Sequence, residues 1–247
     1  MPLFIVFFTT LIATFLSAMS GGGASIINLP VFLSIGMPFP LATAVQKVSS
    51  TFWVLPAAYN YLHDRKIEWK FLILFSVIGL IGAYLGVLFV LAVEEQVLEL
   101  IVGTLILALV IYTYFKKEVG REAAHQYPTW QQMLAYPGAM LLGFYESIFG
   151  AGNGILFAII GFFTKGFDFV SALGYCFASA FLWCVFAAVL LIREGYYDWP
   201  VMAAAIAGSV LGAVLGSKLA KFKGNSFIRL VFLVVGAVLG LKLLLGV

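Results

Sequence analysis

Apolar residues run along this chain in long blocks that are separated by short polar or glycine-rich breaks. Apolar segments occupy residues 2–20, 24–35, 41–62, 69–92, 96–115, 131–150, 154–164, 168–192, 199–220 and 225–246. A helix needs about 20 residues to cross the hydrocarbon core of a bilayer. Most of the segments are long enough, so the pattern predicts an all-α polytopic membrane protein.

Two segments, 24–35 and 154–164, are too short to cross a bilayer. Each would rise only about 16–18 Å as a helix, roughly half of the hydrocarbon core. Each also follows a glycine run, Gly21 to Gly23 in one case and Gly150 to Gly154 in the other. We expect two half-helices, as re-entrant hairpins or as short crossings; the sequence leaves both arrangements open.

The two halves of the chain match each other without gaps at an offset of 130 residues. This indicates an internal duplication, with an N-terminal repeat at 1–115 and a C-terminal repeat at 131–247. The linker, 116–130, contains the most charged run of the chain, Lys116 to Gln126. Each repeat is predicted to hold a glycine-broken helix pair and three transmembrane helices. The matching pairs include Trp53/Trp183, Trp69/Trp199, Gly22/Gly152, Gly82/Gly212 and Gly86/Gly216.

Composition and charge agree with a membrane location and predict an orientation. Hydrophobic residues make up 63% of the chain and charged residues 10%, which excludes a soluble globular protein, and a net charge of +3 gives no sign of nucleic-acid binding. Most of the 14 Lys and Arg residues fall on one side of the predicted topology, the cytoplasmic side. The equivalent loops 94–95 and 218–229 are acidic and basic, which predicts that the repeats are inverted. We expect a plasma (inner) membrane protein with a cytoplasmic linker and both termini outside the cytoplasm.

Inverted repeats with broken helices are typical of secondary transporters, whose binding site lies near the bilayer midplane. A half-helix that begins inside the membrane presents unpaired N–H groups and a positive dipole end, which attract an anion. The alternative is that the glycines only allow close helix packing. The candidate substrate-binding residues at the two breaks are Ser20, Gly21, Gly22, Gly23, Gly150, Gly152, Asn153 and Gly154.

Two charged residues inside predicted membrane segments are candidates for function. Lys47 shares a helical face with Ser50 and Thr51 and is a candidate anchor for a substrate charge, or a lysine that snorkels to the interface. Glu146 precedes the second glycine run and has three open roles: carrying a coupling proton, pairing with Lys47, or accepting hydrogen bonds from a broken helix end.

Other polar residues and motifs carry weaker signals. Ser25, Asn28, Tyr145 and Ser179 near the breaks are as readily explained by bonds to freed backbone groups. We predict no metal site and no cofactor, because no ligand spacing or phosphate-binding loop occurs. An intramembrane enzyme with Lys47 or Cys176 as nucleophile lacks partner groups, so we expect no enzyme. The motifs Gly82-x-x-x-Gly86 and Gly208-x-x-x-Gly212-x-x-x-Gly216 favour tight helix pairs.

The chain resembles the TauE/SafE sulfite exporter family from Ser17 to Leu244. The resemblance rests on Ser20 to Gly23 with Pro30, Gly36 and Met37, on Ala42 to Lys47, and on Gly143 to Gly154 (GFYESIFGAGNG). It implies an integral inner-membrane protein that moves sulfite, sulfonates or other organosulfur anions. It also implies that the glycine runs line the substrate path and that Lys47 matches a lysine often found there. Phe177 stands where relatives can carry a second lysine, and the loss of that positive charge favours a smaller or singly charged anion, or weaker binding.

Together these features predict a secondary transporter of small sulfur-containing anions. The alternative is a passive anion channel that uses the same helix N-termini as its selectivity filter. The expected partners are a small anion, with proton or sodium coupling open, and membrane lipid. The oligomeric state is left open.

Overall fold

A computed structural model of the chain describes residues 3–90, 92, 127–148, 150 and 152–224, with isolated positions within 104–115 and 226–241. The continuous ranges among these residues form nine helices, and no strand occurs in the described part of the chain. The predicted segments 96–115 and 225–246 lie largely outside this description, and the run Lys116 to Gln126 lies wholly outside it. The helices are α1 (Leu3–Ser20), α2 (Ala24–Ser34), α3 (Phe39–Leu62), α4 (Trp69–Val90), α5 (Thr129–Met133), α6 (Ala135–Ile148), α7 (Asn153–Lys165), α8 (Phe169–Arg193) and α9 (Trp199–Lys223).

The helix boundaries follow the apolar blocks, with two differences caused by proline. Helix α3 begins two residues before the predicted segment, because Pro40 fits the first turn, where a backbone N–H is not needed. The predicted segment 131–150 divides into α5 and α6 at Leu134. Pro137 lies in the first turn of α6, where a proline is tolerated, and would disturb one continuous helix.

Four of the described helices, α1, α4, α8 and α9, are long and apolar enough to cross a membrane. Helix α3 has 24 residues but a more polar sequence. It packs against α8 and α9, and its polar side chains are buried within the protein rather than exposed to lipid. The described part of the chain therefore has the architecture of a polytopic helical membrane protein.

Helices α2 and α7 are short, as the glycine breaks predict. They have 11 and 13 residues and so rise about 16 and 20 Å. Each begins directly after a glycine with positive φ, Gly23 at 125° and Gly152 at 73°. Only glycine adopts such angles readily, so these residues allow the chain to reverse and start a new helix.

The first helix of each half packs tightly along the fourth helix of the other half. Helix α1 runs parallel to α9, with a stripe of glycines on α9 that contacts the α1 backbone: a Cβ on Gly208 or Gly212 would overlap the carbonyl oxygens of Phe7 and Leu11. Thr14 Oγ1 donates across this interface to the carbonyl oxygen of Ser209, at 2.9 Å. The close-packing motifs thus do join helix pairs.

Helix α6 packs along α4 in the same parallel manner. A Cβ on Gly82 would overlap the carbonyl oxygen of Met140, and one on Gly86 would overlap that of Phe144. A Cβ on Gly143 would overlap the carbonyl oxygen of Gly79 from the opposite side. Each half of the chain therefore completes its helix packing with a helix from the other half.

Helices α3 and α8 lie side by side at the centre of the molecule and run in opposite directions. Trp53 and Phe177 approach with ring centroids 5.2 Å apart, and Leu62, near the end of α3, contacts Gly174, near the start of α8. These contacts show that the two helices are antiparallel.

The loop between α3 and α4 divides its ion pairs between two helices. Asp64 Oδ2 accepts from Lys221 Nζ of α9 at 2.8 Å. The next residue, Arg65, donates to Asp168 Oδ1, at the start of α8, at 2.8 Å, and to Ser171 Oγ at 2.6 Å. Two consecutive loop residues thus form ion pairs with two different helices, Asp64 with α9 and Arg65 with α8.

Candidate functional site

The two glycine breaks meet in the interior of the protein. The backbone N–H of Gly154 donates to the carbonyl oxygen of Gly21 at 2.5 Å. A Cβ added to Gly22 would lie 2.9 Å from the backbone nitrogen of Gly152 and 3.2 Å from that of Asn153. Because backbone meets backbone here, residues with side chains would push the two breaks apart.

Both half-helices begin at this meeting point, and neither has a capping side chain. The N-cap residues are Gly23 for α2 and Gly152 for α7, and no side chain bonds to the first turn of either helix. The first N–H groups of a helix have no partner within the helix and carry its positive dipole end. Two positive helix ends, one from each half of the chain, therefore approach one another.

A cavity lies between these helix ends, α3 and α8. Measured as the space open to the centre of a water molecule, its volume is about 20 Å³, which is enough for about one water molecule. Eight of the predicted site residues line it: Gly21, Gly22, Gly23, Ser50, Glu146, Gly150, Asn153 and Gly154.

The other four predicted site residues lie next to the cavity without lining it. Ser20 Oγ donates to the carbonyl oxygens of Leu16 and Gly22, and Thr51 Oγ1 donates to that of Lys47. Gly152 provides the N-cap of α7. Lys47, the fourth of them, is engaged with Glu146.

Lys47 and Glu146 form a buried ion pair beside the cavity. Lys47 Nζ lies 3.2 Å from Glu146 Oε1 and also donates to the backbone carbonyl oxygen of Glu146. Lys47 is 2% exposed and Glu146 9% exposed. The same carboxylate accepts from Asn153 Nδ2 at 2.8 Å and from Cys184 Sγ at 3.4 Å. A buried charge without a partner is costly, and here each charge compensates the other.

Ser17, Gln46 and Trp53 line the cavity but were not predicted as site residues, and Ser25 was only a weaker candidate. Within the described part of the chain, four cavity-lining residues have a buried polar atom without a hydrogen-bond partner, in addition to Asn153 Oδ1. These atoms are Ser17 Oγ, Ser25 Oγ, Gln46 Oε1 and Trp53 Nε1. Such atoms are rare in protein interiors, so they indicate a place where a ligand or water supplies the missing bonds.

Apolar residues form the remaining wall of the cavity. They come from α3 and α8 and are Val54, Cys176, Phe177 and Ala180. Two sequence signals could have identified Trp53 and Gln46 as lining residues: the repeated tryptophans for Trp53 and the polar face of α3 for Gln46. Among the described residues, no three His, Cys, Asp or Glu side chains converge in a way that could hold a metal ion.

Comparisons with known proteins agree with this architecture. The sequence profile described as sulfite exporter TauE/SafE matches residues 6–243. A probable membrane transporter protein of Haemophilus influenzae is 28% identical over 227 residues, covering 91% of this chain and 88% of that protein. The probable membrane transporter protein YfcA of Escherichia coli K12 is 25% identical over 97% of this chain and 88% of its own length. The probable membrane transporter protein ORF9 of a Sinorhizobium species is 30% identical, with 97% of this chain and 91% of that protein covered.

No solved structure matches the chain at a significant level. The family match extends over almost all of the chain, including both glycine breaks, α3 and α8. The chain therefore belongs to the sulfite exporter TauE/SafE family of membrane transporters.

Proposed function

We propose that this membrane transporter is a secondary transporter of small sulfur-containing anions, such as sulfite or a sulfonate, across the plasma (inner) membrane. The observation that carries the proposal is the pair of helix N-termini, neither with a side-chain cap, that lie at one cavity. Inside a membrane the dielectric constant is low, so these dipole ends attract an anion more strongly than they would in water.

The donors and the apolar wall of the cavity suit an oxyanion that carries a small apolar group. Trp53 is 5% exposed, and its indole N–H has no hydrogen-bond partner among the described residues. The hydroxyl groups of Ser17 and Ser25 can also donate to an oxyanion. Val54, Phe177 and Ala180 offer contact area to the apolar part of a sulfonate.

The proposal includes two inverted repeats, 1–115 and 131–247, joined by a cytoplasmic linker, 116–130, with both termini outside the cytoplasm. Two features support the inversion. Helices α3 and α8 occupy equivalent positions in the two repeats and run antiparallel. The contact between α1 and α9 also has its counterpart in the contact between α6 and α4.

Transport requires the cavity to enlarge, because a volume of about 20 Å³ is too small for an anion of several heavy atoms. The helix contacts suggest which groups move apart. The most extensive contacts join α1 to α9 and α6 to α4. We therefore place α1, α2, α3 and α9 in one group and α4, α6, α7 and α8 in the other, so that the extensive contact between α3 and α8 is the surface along which the groups slide. In this proposal the two groups rock about the helix ends, so that each moving body contains one helix from the other repeat.

The test is uptake of radiolabelled sulfite into proteoliposomes, with competition by sulfate and a panel of small sulfonates. We expect saturable uptake, which falls at least tenfold in Gly22→Ala, because the new Cβ would separate the two helix ends. Gly195→Ala is the matched control: Gly195 also has a positive φ, 89°, but no atom lies within 4 Å of its added Cβ.

Three outcomes would contradict parts of the proposal. No saturable uptake of any anion in the panel would refute the substrate class. Linear flux that does not saturate would indicate an anion channel instead. Equal uptake by the Gly22→Ala and Gly195→Ala variants would show that the glycine breaks do not form the substrate-binding site.

A further inference from the structure

The carboxylate of Glu146 takes part in both the buried ion pair and the wall of the cavity. It is the partner of Lys47 in the buried ion pair, and it also forms part of the cavity wall. Lys47 itself does not line the cavity, because its ammonium group is held by the carboxylate and the backbone carbonyl of Glu146. Protonation of Glu146 would therefore change the net charge of the cavity wall.

The other groups around Glu146 do not compensate a change in its charge. From α3 it faces Lys47, and from α8 it faces the thiols of Cys184 and Cys176. Asn153, at the start of α7, contributes an uncharged amide, and Tyr145 is its neighbour on α6. Among these described groups, Lys47 is the one permanent charge, so the site has no net charge when Glu146 is ionised.

We propose that Glu146 is the site of a coupling proton and that this proton is carried together with one singly charged anion. This inference rests on the proposed transport function. A proton on Glu146 leaves the positive charge of Lys47 uncompensated, and an anion between the helix ends restores neutrality. The empty site and the site loaded with proton and anion then have the same net charge, and transport is electroneutral.

The charge balance also sets the valence of the cargo. A dianion bound with one proton would leave an uncompensated negative charge in a low-dielectric interior, which is unfavourable. Phe177, which lines the cavity, adds no second positive charge. The site therefore favours monoanions over dianions such as sulfate.

The contacts of Glu146 also connect its proton to the helix ends. Its Oε2 accepts from Asn153, the first residue of α7, and its carboxylate lies against Gly150: a Cβ there would be 2.8 Å from Oε1. A protonated carboxyl is a weaker acceptor than a carboxylate and releases Lys47 towards the cavity. Protonation thus changes the surroundings of both the lysine and the anion-binding helix end.

The experiment uses the full chain in proteoliposomes with an entrapped pH indicator and methanesulfonate, sulfite and sulfate as probes. Methanesulfonate keeps its single charge throughout the pH range, so pH changes act on the protein alone. We expect about one proton to enter with each methanesulfonate, no response to a membrane potential set with potassium and valinomycin, and apparent affinity that weakens about tenfold per pH unit where Glu146 is ionised in the empty site.

Variants separate the proton site from the rest of the molecule. In Glu146→Gln the site keeps the charge of Lys47, so affinity should no longer depend on pH and net flux should respond to the membrane potential. Glu146→Asp retains a titrating carboxyl and should retain the pH dependence. Glu194→Gln, which removes a carboxyl beyond the end of α8, is the matched control and should behave as the wild type.

The inference and the transport function fail in different ways. A probe that is taken up without proton movement, or a Glu146→Gln variant that keeps the tenfold pH dependence, would overturn the coupling role and leave the transporter. Preference for sulfate over methanesulfonate would overturn the charge balance. If none of the three probes is taken up, the proposed substrate class is refuted and the inference falls with it.

Discussion

The contact between α4 and α6 predicts a large difference between two chemically identical substitutions. Gly143 and Gly138 both lie on α6. A Cβ on Gly143 would overlap the carbonyl oxygen of Gly79 and lie 2.7 Å from its carbonyl carbon, whereas ordinary contact begins at 3.4 Å. The neighbouring backbone would have to retreat by at least 0.7 Å, the difference between 3.4 and 2.7 Å, along a closely packed interface. A Cβ on Gly138 would instead meet the end of the Ile160 side chain, at 2.8 Å, which can rotate away.

The expected magnitudes follow from these contacts. Overpacking against a rigid backbone costs about 3 kcal/mol, and alanine in a helix recovers about 1 kcal/mol relative to glycine. Gly143→Ala should therefore destabilise the protein by about 2 kcal/mol, and Gly138→Ala should have almost no effect. For a chain of this length the larger change lowers the midpoint of thermal unfolding by about 4–8 °C.

The assay is thermal unfolding of the purified variants in one detergent, followed by loss of the monodisperse peak in size-exclusion chromatography. If Gly138→Ala lowers the midpoint as much as Gly143→Ala, the close backbone contact of α4 and α6 does not govern stability. The reasoning about the glycine motifs would then be wrong.

Two further predictions concern the loop between α3 and α4. Arg65→Gln should lower the stability by about 1–2 kcal/mol, because Asp168 is buried and loses a charged partner. Asp64→Asn should leave the unfolding midpoint unchanged, since the pair of Asp64 with Lys221 is exposed to solvent. Equal unfolding midpoints for the two variants would contradict this difference. The hydrogen bond from Lys221, helped by the nearby His63, holds the pKa of Asp64 below its usual range. The contribution of this exposed pair to stability, too small to move the midpoint, is present above the ordinary carboxyl range and is lost as pH falls through the lowered pKa. Lys221→Met should raise the pKa of Asp64 in a carbon-13 NMR titration. An unchanged pKa would show that Lys221 does not cause the lowered value.

Most of the helices could be predicted from the sequence because their signals are local. An apolar block long enough to span a bilayer predicts α1 or α4, and a glycine run followed by a short apolar block predicts α2 or α7. The polar face of α3 similarly indicates burial within the protein. The division of 131–150 into two helices depends on one proline, which is a weaker local signal than length.

The arrangement of the site was harder to predict because its contacts join distant parts of the chain. Lys47 and Glu146 are 99 residues apart, and pairing was one of three roles open for Glu146. A glycine motif indicates that a helix packs closely, but it does not say which helix is its partner. Likewise, nothing in the sequence indicates that the indole N–H of Trp53 has no partner, since this depends on every neighbour in the folded protein.

The exchange of helices between the two halves has a consequence for biosynthesis. Helix α1 emerges from the ribosome long before its main packing partner, α9, which begins only at residue 199. Helix α4 must similarly wait for α6. Until then the carbonyl groups and small residues that will form these interfaces face lipid or the insertion machinery. The protein can therefore insert its helices in order, but it can complete their packing only after α9 has been made.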